Sequence, residues 1–267
     1  MSVKFCTIAS GSGGNSAVLS TDHGGILIDA GLSGKTIENG LAAVGVSPKS
    51  LRGIFLTHEH SDHVCGAGVV SRRYDLPLYM TSGTWKAICR YKSIGKIMDK
   101  NIAIIDSDEL IELGNIKIKP FSIPHDAAEP VGYCIYADGH KISIATDLGH
   151  IDDDISQHIY GSEIILLESN HDIEMLRRGP YPEQLKRRIL SDIGHLSNVS
   201  AGRFLSEVFC GSTKHIFLGH LSEENNHPML AYETVKNILM ANKINVGTDC
   251  GLYLANRKLV SPMITLA

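Results

Sequence analysis

Between Thr57 and His63 the chain reads Thr-His-Glu-His-Ser-Asp-His, which places His58, His60, His63 and the carboxylate of Asp62 directly behind the apolar run Gly53-Ile54-Phe55-Leu56. A neutral imidazole is an ordinary metal ligand, and a carboxylate oxygen completes sites for zinc, manganese or iron. A solvated turn has no need of so many histidines. Three further ligand-type residues follow apolar runs: His125 after Lys117 to Ile123, Asp147 after Ile142 to Thr146, and His220 after Ile216 to Gly219. Taken singly, each has a plain reading. A lone histidine after a strand is usually a hydrogen-bonded surface or core residue, and an Asp before Leu-Gly is usually a turn former. Together, behind an HxHxDH cluster, they describe one rim where strand ends converge, with donors enough for two metal ions. No thiolate is among them, so the pattern leaves zinc, manganese and iron all open.

The elements that must carry these residues are strands alternating with helices. Strand-like runs cover Val3 to Ala9, Ala17 to Ser20, Ile26 to Asp29, Gly53 to Thr57, Leu76 to Thr81, Ile102 to Ile105, Ile116 to Ile123, Val131 to Ala137, Lys141 to Thr146, Ile164 to Glu168, His215 to Leu218 and Gly251 to Ala255. Helical patterns cover Ser33 to Val44, Val64 to Tyr74, Thr84 to Tyr91, Ser197 to Phe209 and Pro228 to Met240. The dipeptide Asp138-Gly139 supplies the positive φ values of a tight hairpin. Strands mixed with helices in both halves predict two mixed sheets face to face between helix layers.

At 267 residues with 43% hydrophobic content, one large core is expected, hence a single domain over residues 1–267. The net charge of −4 gives no global field to draw the protein onto a polyanion, so any nucleic-acid binding must come from local patches. Six cysteines scattered singly fit a reducing cytoplasm better than a disulfide framework. The run Met1 to Cys6 lacks the basic and apolar regions of a signal peptide, and no apolar stretch is long enough to span a bilayer.

The ordered motifs His58-x-His60-x-Asp62-His63, His125, Asp147 and His220, with Leu27-Ile28-Asp29-Ala30-Gly31 ahead of them, resemble those of the metallo-β-lactamase superfamily. The resemblance implies a four-layer αββα sandwich with the site at one edge of two mixed sheets. It also implies that His58, His60 and His125 hold one metal, that Asp62, His63 and His220 hold the second, and that Asp147 bridges them. Asp29 would orient the loop that bears the histidines. Asp62, Asp147 and His195 are then the expected catalytic residues.

His195, in Gly194-His195-Leu196-Ser197-Asn198, is similar in position to a histidine that superfamily phosphodiesterases use as general acid or phosphate contact; otherwise it is a helix-entry residue with Ser197 as N-cap. The loop Ser10 to Ser16 offers backbone amides, Ser12 and Asn15 to a phosphate, or is a plain glycine hairpin. With the segments Asp29 to Lys35, Arg73 to Pro77, His125 to Gly132 and Glu168 to Asp172, it resembles the bacterial YycJ/WalJ-type subgroup over nearly the whole chain. That resemblance implies a DNA-processing hydrolase with 5′-to-3′ exonuclease action. It implies a hydroxide shared by two metals as nucleophile and His195 as proton donor to the leaving alkoxide.

His171 either lines the cleft or bonds to backbone near a helix start. Arg177, Arg178, Lys186, Arg187 and Arg188 either track a phosphate backbone or form a solvated helical face diluted by Asp172, Glu174 and Glu183. Only 72 residues separate Asp147 from His220, too few for the extra domain of the β-CASP nucleases, so substrate grip falls to loops or to a second subunit. A thioesterase or lactonase of the same fold, a small-molecule phosphodiesterase, and a non-catalytic scaffold are the rival readings.

Overall fold

The structure, a computed structural model, describes residues 2–91 and 94–267; Met1, at the head of the N-terminal run, lies outside them. The first half supplies β1 (Val3–Ala9), β2 (Ser16–Thr21), β3 (Gly24–Ile28), α1 (Gly34–Ala43), β4 (Leu51–Phe55), α2 (Ser61–Val64), α3 (Ala67–Tyr74), β5 (Leu78–Met80), α4 (Ser82–Tyr91) and β6 (Ile102–Ile104). The second supplies β7 (Ile111–Leu113), β8 (Ile116–Ser122), β9 (Val131–Ala137), β10 (His140–Ala145), α5 (Asp153–Ile159), β11 (Ile164–Glu168), α6 (Ile173–Arg178), α7 (Glu183–Ile189), α8 (Asn198–Val208), β12 (His215–Gly219), α9 (Pro228–Ala241), β13 (Gly251–Leu254) and β14 (Ile264–Leu266).

Two seven-stranded sheets result, in the orders β14-β1-β2-β3-β4-β5-β6 and β13-β12-β11-β10-β9-β8-β7. In the first, β14 through β3 pair antiparallel and β3 through β6 parallel. The second repeats that scheme, antiparallel from β7 to β10 and parallel from β10 to β13. The central strands are apolar along their whole length because both faces are covered. Ile26 and Ile28 enter the core between the sheets, while Leu27 packs toward the helices of the first half. Ile164 and Leu166 likewise face the other sheet, and Ile165 and Leu167 face the outer helices of the second half. Edge-to-face contacts of Phe5 with Phe217 and of Phe55 with Tyr133 stitch the sheets together, with ring centroids 5.6 and 5.7 Å apart. The αββα layering expected from the sequence is therefore the one observed.

The Asp138-Gly139 hairpin forms as expected, with φ of 49° and 88° joining β9 to β10. The helix expected over Val64 to Tyr74 is instead interrupted at Gly66, whose N–H bonds to Ala30 O at 2.8 Å. A side chain at Gly66 would meet Leu32 O at 1.9 Å, so this turn is fastened to the loop after β3 rather than continuing a helix. Of the elements of three to seven residues, α5, β7 and β14 escaped the sequence reading, which reaches α6 and α7 only as a possible helical face around the basic cluster. Such segments span too few residues for a hydrophobic period to register.

Candidate metal centre

The site residues leave the sheets at one common edge. Asp29 follows β3, Asp147 follows β10 after one residue, and His220 follows β12 directly. All three adopt left-handed backbone, with φ of 58°, 62° and 52°. Such φ values are uncommon outside glycine and cluster at functional turns. They turn the chain sharply out of each strand, so that the side chains gather over the sheet edge. The loop Thr57 to His63 joins them from the end of β4, and His125 from the end of β8.

Two groups of donors result. His58, His60 and His125 offer ligand atoms that all lie within 4.8 Å of one another, and so do Asp62, His63 and His220. In the first group His125 Nε2 is 3.3 Å from His60 Nδ1. In the second, Asp62 Oδ2 is 3.5 Å from both His63 Nε2 and His220 Nε2. Asp147 lies between them, with Oδ2 3.1 Å from His63 Nε2 and Oδ1 3.8 Å from His125 Nε2. A divalent ion fits this arrangement on a structural ground. His58 Nε2, Asp147 Oδ2 and His220 Nε2 are buried polar atoms with no hydrogen-bond partner, a costly condition that coordination would relieve.

Carboxylates behind the imidazoles fix which nitrogen faces the cluster. His63 Nδ1–H donates to Asp29 Oδ2 at 2.7 Å, leaving Nε2 toward Asp62 and Asp147. The same Asp29 carboxylate accepts from Thr57 N at 2.8 Å, which pins the start of the histidine loop. Glu168, wholly buried at the end of β11, does the same for two histidines at once. Its Oε1 lies 2.9 Å from His220 Nδ1 and 2.7 Å from His195 Nδ1, and its Oε2 accepts from the amides of Leu148 and Leu196, each at 3.1 Å. With Nδ1 engaged, His195 presents Nε2 to the cleft.

The electrostatics are dominated by acid. Burial alone would lower the pKa of His195, but the Glu168 and Asp147 carboxylates reverse this and raise it. Burial likewise opposes protonation of His220, yet Asp147, Asp62 and Glu168 push its pKa up to about 10. Burial opposes ionisation of Asp62 as well, and the neighbouring His220 and His63 nonetheless hold its carboxyl below the usual range. A centre that gathers protons onto imidazoles beside carboxylates exchanges them for a divalent cation on binding.

The other expected residues divide. Ser12 lines the cleft together with His60, Asp62, His125, Asp147, His195 and His220, a cavity of about 230 Å³. Asn15 is buried and holds the histidine loop from behind: its amide N–H donates to Asp62 O at 2.7 Å, and its side-chain Nδ2 lies 3.3 Å from Asp62 Oδ2. Ser197 caps α8, accepting from Ser200 N. His171 does not line the cleft; it is 1% exposed and neither ring nitrogen has a hydrogen-bond partner. Arg188 does reach the cleft, paired with Asp126, whereas Arg177 and Arg178 pair with Glu174 and Lys186 with Glu183 away from it.

The sequence assigned no role to Glu168, which entered only as the head of the Glu168 to Asp172 segment, or to the wall formed by Tyr181, Leu185 and Ile189. Glu168 carried a usable signal, since it is a carboxylate ending an apolar run, the same pattern that marked the other candidates. The wall carried none, because Tyr181 lies in a Pro-flanked turn and Leu185 and Ile189 lie on a seven-residue helix too short for its apolar face to register.

Comparison with known proteins agrees with this geometry. A family profile described as the beta-lactamase superfamily domain matches residues 25–218. The chain is 41% identical over 259 residues to exodeoxyribonuclease YycJ of Bacillus anthracis, and 39% identical over 260 residues to exodeoxyribonuclease WalJ of Streptococcus pneumoniae, with 97% of each chain covered in both cases. Among solved structures, the metallo-beta-lactamase fold protein YhfI from Bacillus subtilis superposes with a TM-score of 0.73 at 14% identity, covering all of both chains. The chain belongs to the metallo-β-lactamase superfamily.

Proposed function

We propose that the protein is a metal-dependent phosphodiesterase acting on DNA, an exodeoxyribonuclease with 5′-to-3′ direction, and that residues 1–267 form one catalytic unit. The observation that carries this reading is His195, held by Glu168 with Nε2 turned into a cleft shared with both donor groups. A thiolate leaves a thioester without help, whereas the alkoxide leaving a phosphodiester needs a proton. A histidine beside the cleft whose pKa is raised by the Glu168 and Asp147 carboxylates is suited to the second reaction. The relatives named exodeoxyribonucleases, matched along 97% of their length, point the same way.

In this reading His58, His60 and His125 would hold one divalent ion and Asp62, His63 and His220 a second, with Asp147 as a donor available to either; zinc, manganese and iron all suit these donors. Such ions would lower the pKa of water toward about 7 and neutralise phosphate oxygens. The chain's own contribution is to position and to move a proton. Asp29 and Glu168 lock the imidazole tautomers, His195 gives its Nε2 proton to the departing oxygen, and Ser12 at the mouth of the cleft offers a hydroxyl to the phosphate. A cytoplasmic setting suits six unpaired cysteines, and none of the described helices is long and apolar enough to cross a membrane.

The test is purified protein with Mn²⁺ or Zn²⁺ and single- and double-stranded DNA and RNA labelled at either end. Stepwise shortening of DNA from the 5′ end is expected, abolished in Asp62→Ala and slowed by about 10² to 10⁴ in His195→Ala. Hydrolysis of a thioester or lactone with DNA left intact would refute the reading.

A further inference from the structure

The cleft has two unlike sides. One carries the metal-type donors and His195; the other is Tyr181, Leu185 and Ile189, with Arg188 beside them. This second side is built rigidly. Tyr181 sits between Pro180 and Pro182, and a following proline holds its backbone extended. Gly179, just before, has Asn225 Oδ1 and Met175 O where a side chain would begin, each 2.7 Å from that position. Lys186 Nζ donates to Arg177 O at 2.8 Å and ties α7 back onto α6.

The wall is also anchored to His195 and, through Asp126, to His125. Ile189 O accepts from His195 N at 3.0 Å, and Arg188 pairs with Asp126, whose Oδ1 lies 3.3 Å from His125 Nε2. A phosphodiester group by itself requires no apolar surface. An aromatic ring and two aliphatic side chains next to a guanidinium form the combination that takes a flat base and its phosphate from a single strand. The same cavity of about 230 Å³ holds the apolar wall and the metal-type donors, so a base on the wall and the phosphate beside it would lie in one cleft.

We infer that the Tyr181–Leu185–Ile189 wall is a nucleobase subsite: the base flanking the scissile phosphate unstacks from the strand and lies on Tyr181, with Arg188 facing its phosphate. The inference rests on the phosphodiesterase reading of the same cleft. Of the five basic residues between 177 and 188, Arg188 alone lines that cleft; Arg177, Arg178 and Arg187 are exposed, and Lys186 is turned in against α6.

Two single-stranded oligonucleotides of equal length test it, one normal and one with tetrahydrofuran abasic residues at the 5′ end. With Mn²⁺, the wild-type protein should prefer the normal strand in kcat/KM by at least about fivefold, the scale of one lost stacking contact. Tyr181→Ala should reduce that preference to near unity, mainly by raising KM on the normal strand, and Tyr181→Phe should retain it. Arg178→Ala, on the outer face, should leave the preference intact. A second readout does not depend on turnover. In a Tyr181→Trp, Asp62→Ala double variant, whose only other tryptophan is Trp85, the normal strand should quench fluorescence and the abasic strand should not. Preference surviving in Tyr181→Ala, or equal quenching by the two strands, overturns the inference. Absence of cleavage together with base-dependent quenching would refute the nuclease reading and leave the subsite standing.

Discussion

Glu168 accepts from two imidazole nitrogens with one oxygen and lies within reach of two amides with the other, so a single carboxylate orients a candidate ligand, a candidate acid and two loops. Three residues further on, His171 is buried with both nitrogens unpartnered, and burial lowers its pKa to about 4 against the opposing pull of Glu168. The folded pKa thus lies below the value of roughly 6.5 in the unfolded chain. Between those two values the unfolded state binds the extra proton, so stability is fully present above about pH 6.5 and drains as the pH falls toward 4. The loss amounts to about 3 kcal/mol at 1.36 kcal/mol per pKa unit. His171→Phe, which keeps an aromatic ring without the basic nitrogens, should flatten that part of the profile. Urea denaturation at pH 7 and pH 4 checks this; identical pH slopes in the two proteins would show that His171 does not titrate with unfolding.

Between elements, the decisive contacts are those that join loops at the sheet edge. Gly31, just after β3, lies so near the histidine loop that a Cβ there would sit 1.6 Å from Asp62 O. Ala30 N donates to His63 O at 2.8 Å and Gly31 N to Asn15 O at 2.8 Å, so three loops meet at this point. Gly31→Ala must therefore push the Asp62 backbone outward. A clash with backbone has no flexible side chain to absorb it, and the expected cost is about 1–3 kcal/mol or more. Metal affinity measured by calorimetry should fall with it, since Asp62 and His63 move together. Wild-type affinity in a well-folded Gly31→Ala protein would show the loop to be more pliant than these distances imply.

Across the whole molecule, both sheets repeat one pairing scheme and converge on one edge, so the centre draws donors from loops spread from residue 58 to residue 220. Candidate ligands so far apart in the chain are brought together only by folding, so metal binding here would be coupled to global stability. At a free ion concentration of about 100 times Kd, the gain is about 2.7 kcal/mol, or about 5 °C in Tm for a protein of this size. Thermal unfolding with added Mn²⁺ or Zn²⁺ against chelator should show this rise in the wild type and much less of it in Asp62→Ala. Equal Tm in all conditions would argue against a metal in this centre.

How much was legible in the sequence follows from the range of each interaction. The donors His58, His60, Asp62, His63, His125, Asp147 and His220 stand at or just past apolar runs, and a strand's end is a local property of composition. The long central strands could be read for the same reason, since both of their faces are buried. Glu168 could not be given its place, because what distinguishes it from any acidic strand terminus is the proximity of His195 and His220, 27 and 52 residues further along the chain. The same holds for Asn15, open on sequence to a role behind the ligands or on the phosphate and found buried behind Asp62, and for Arg188, whose neighbours in the basic cluster do not line the cleft. The sequence by itself determined which side chains could ligate and which segments would be strands. Only the tertiary structure decided which carboxylate orients which imidazole and which wall faces the cleft, because those depend on the packing of loops distant in the chain.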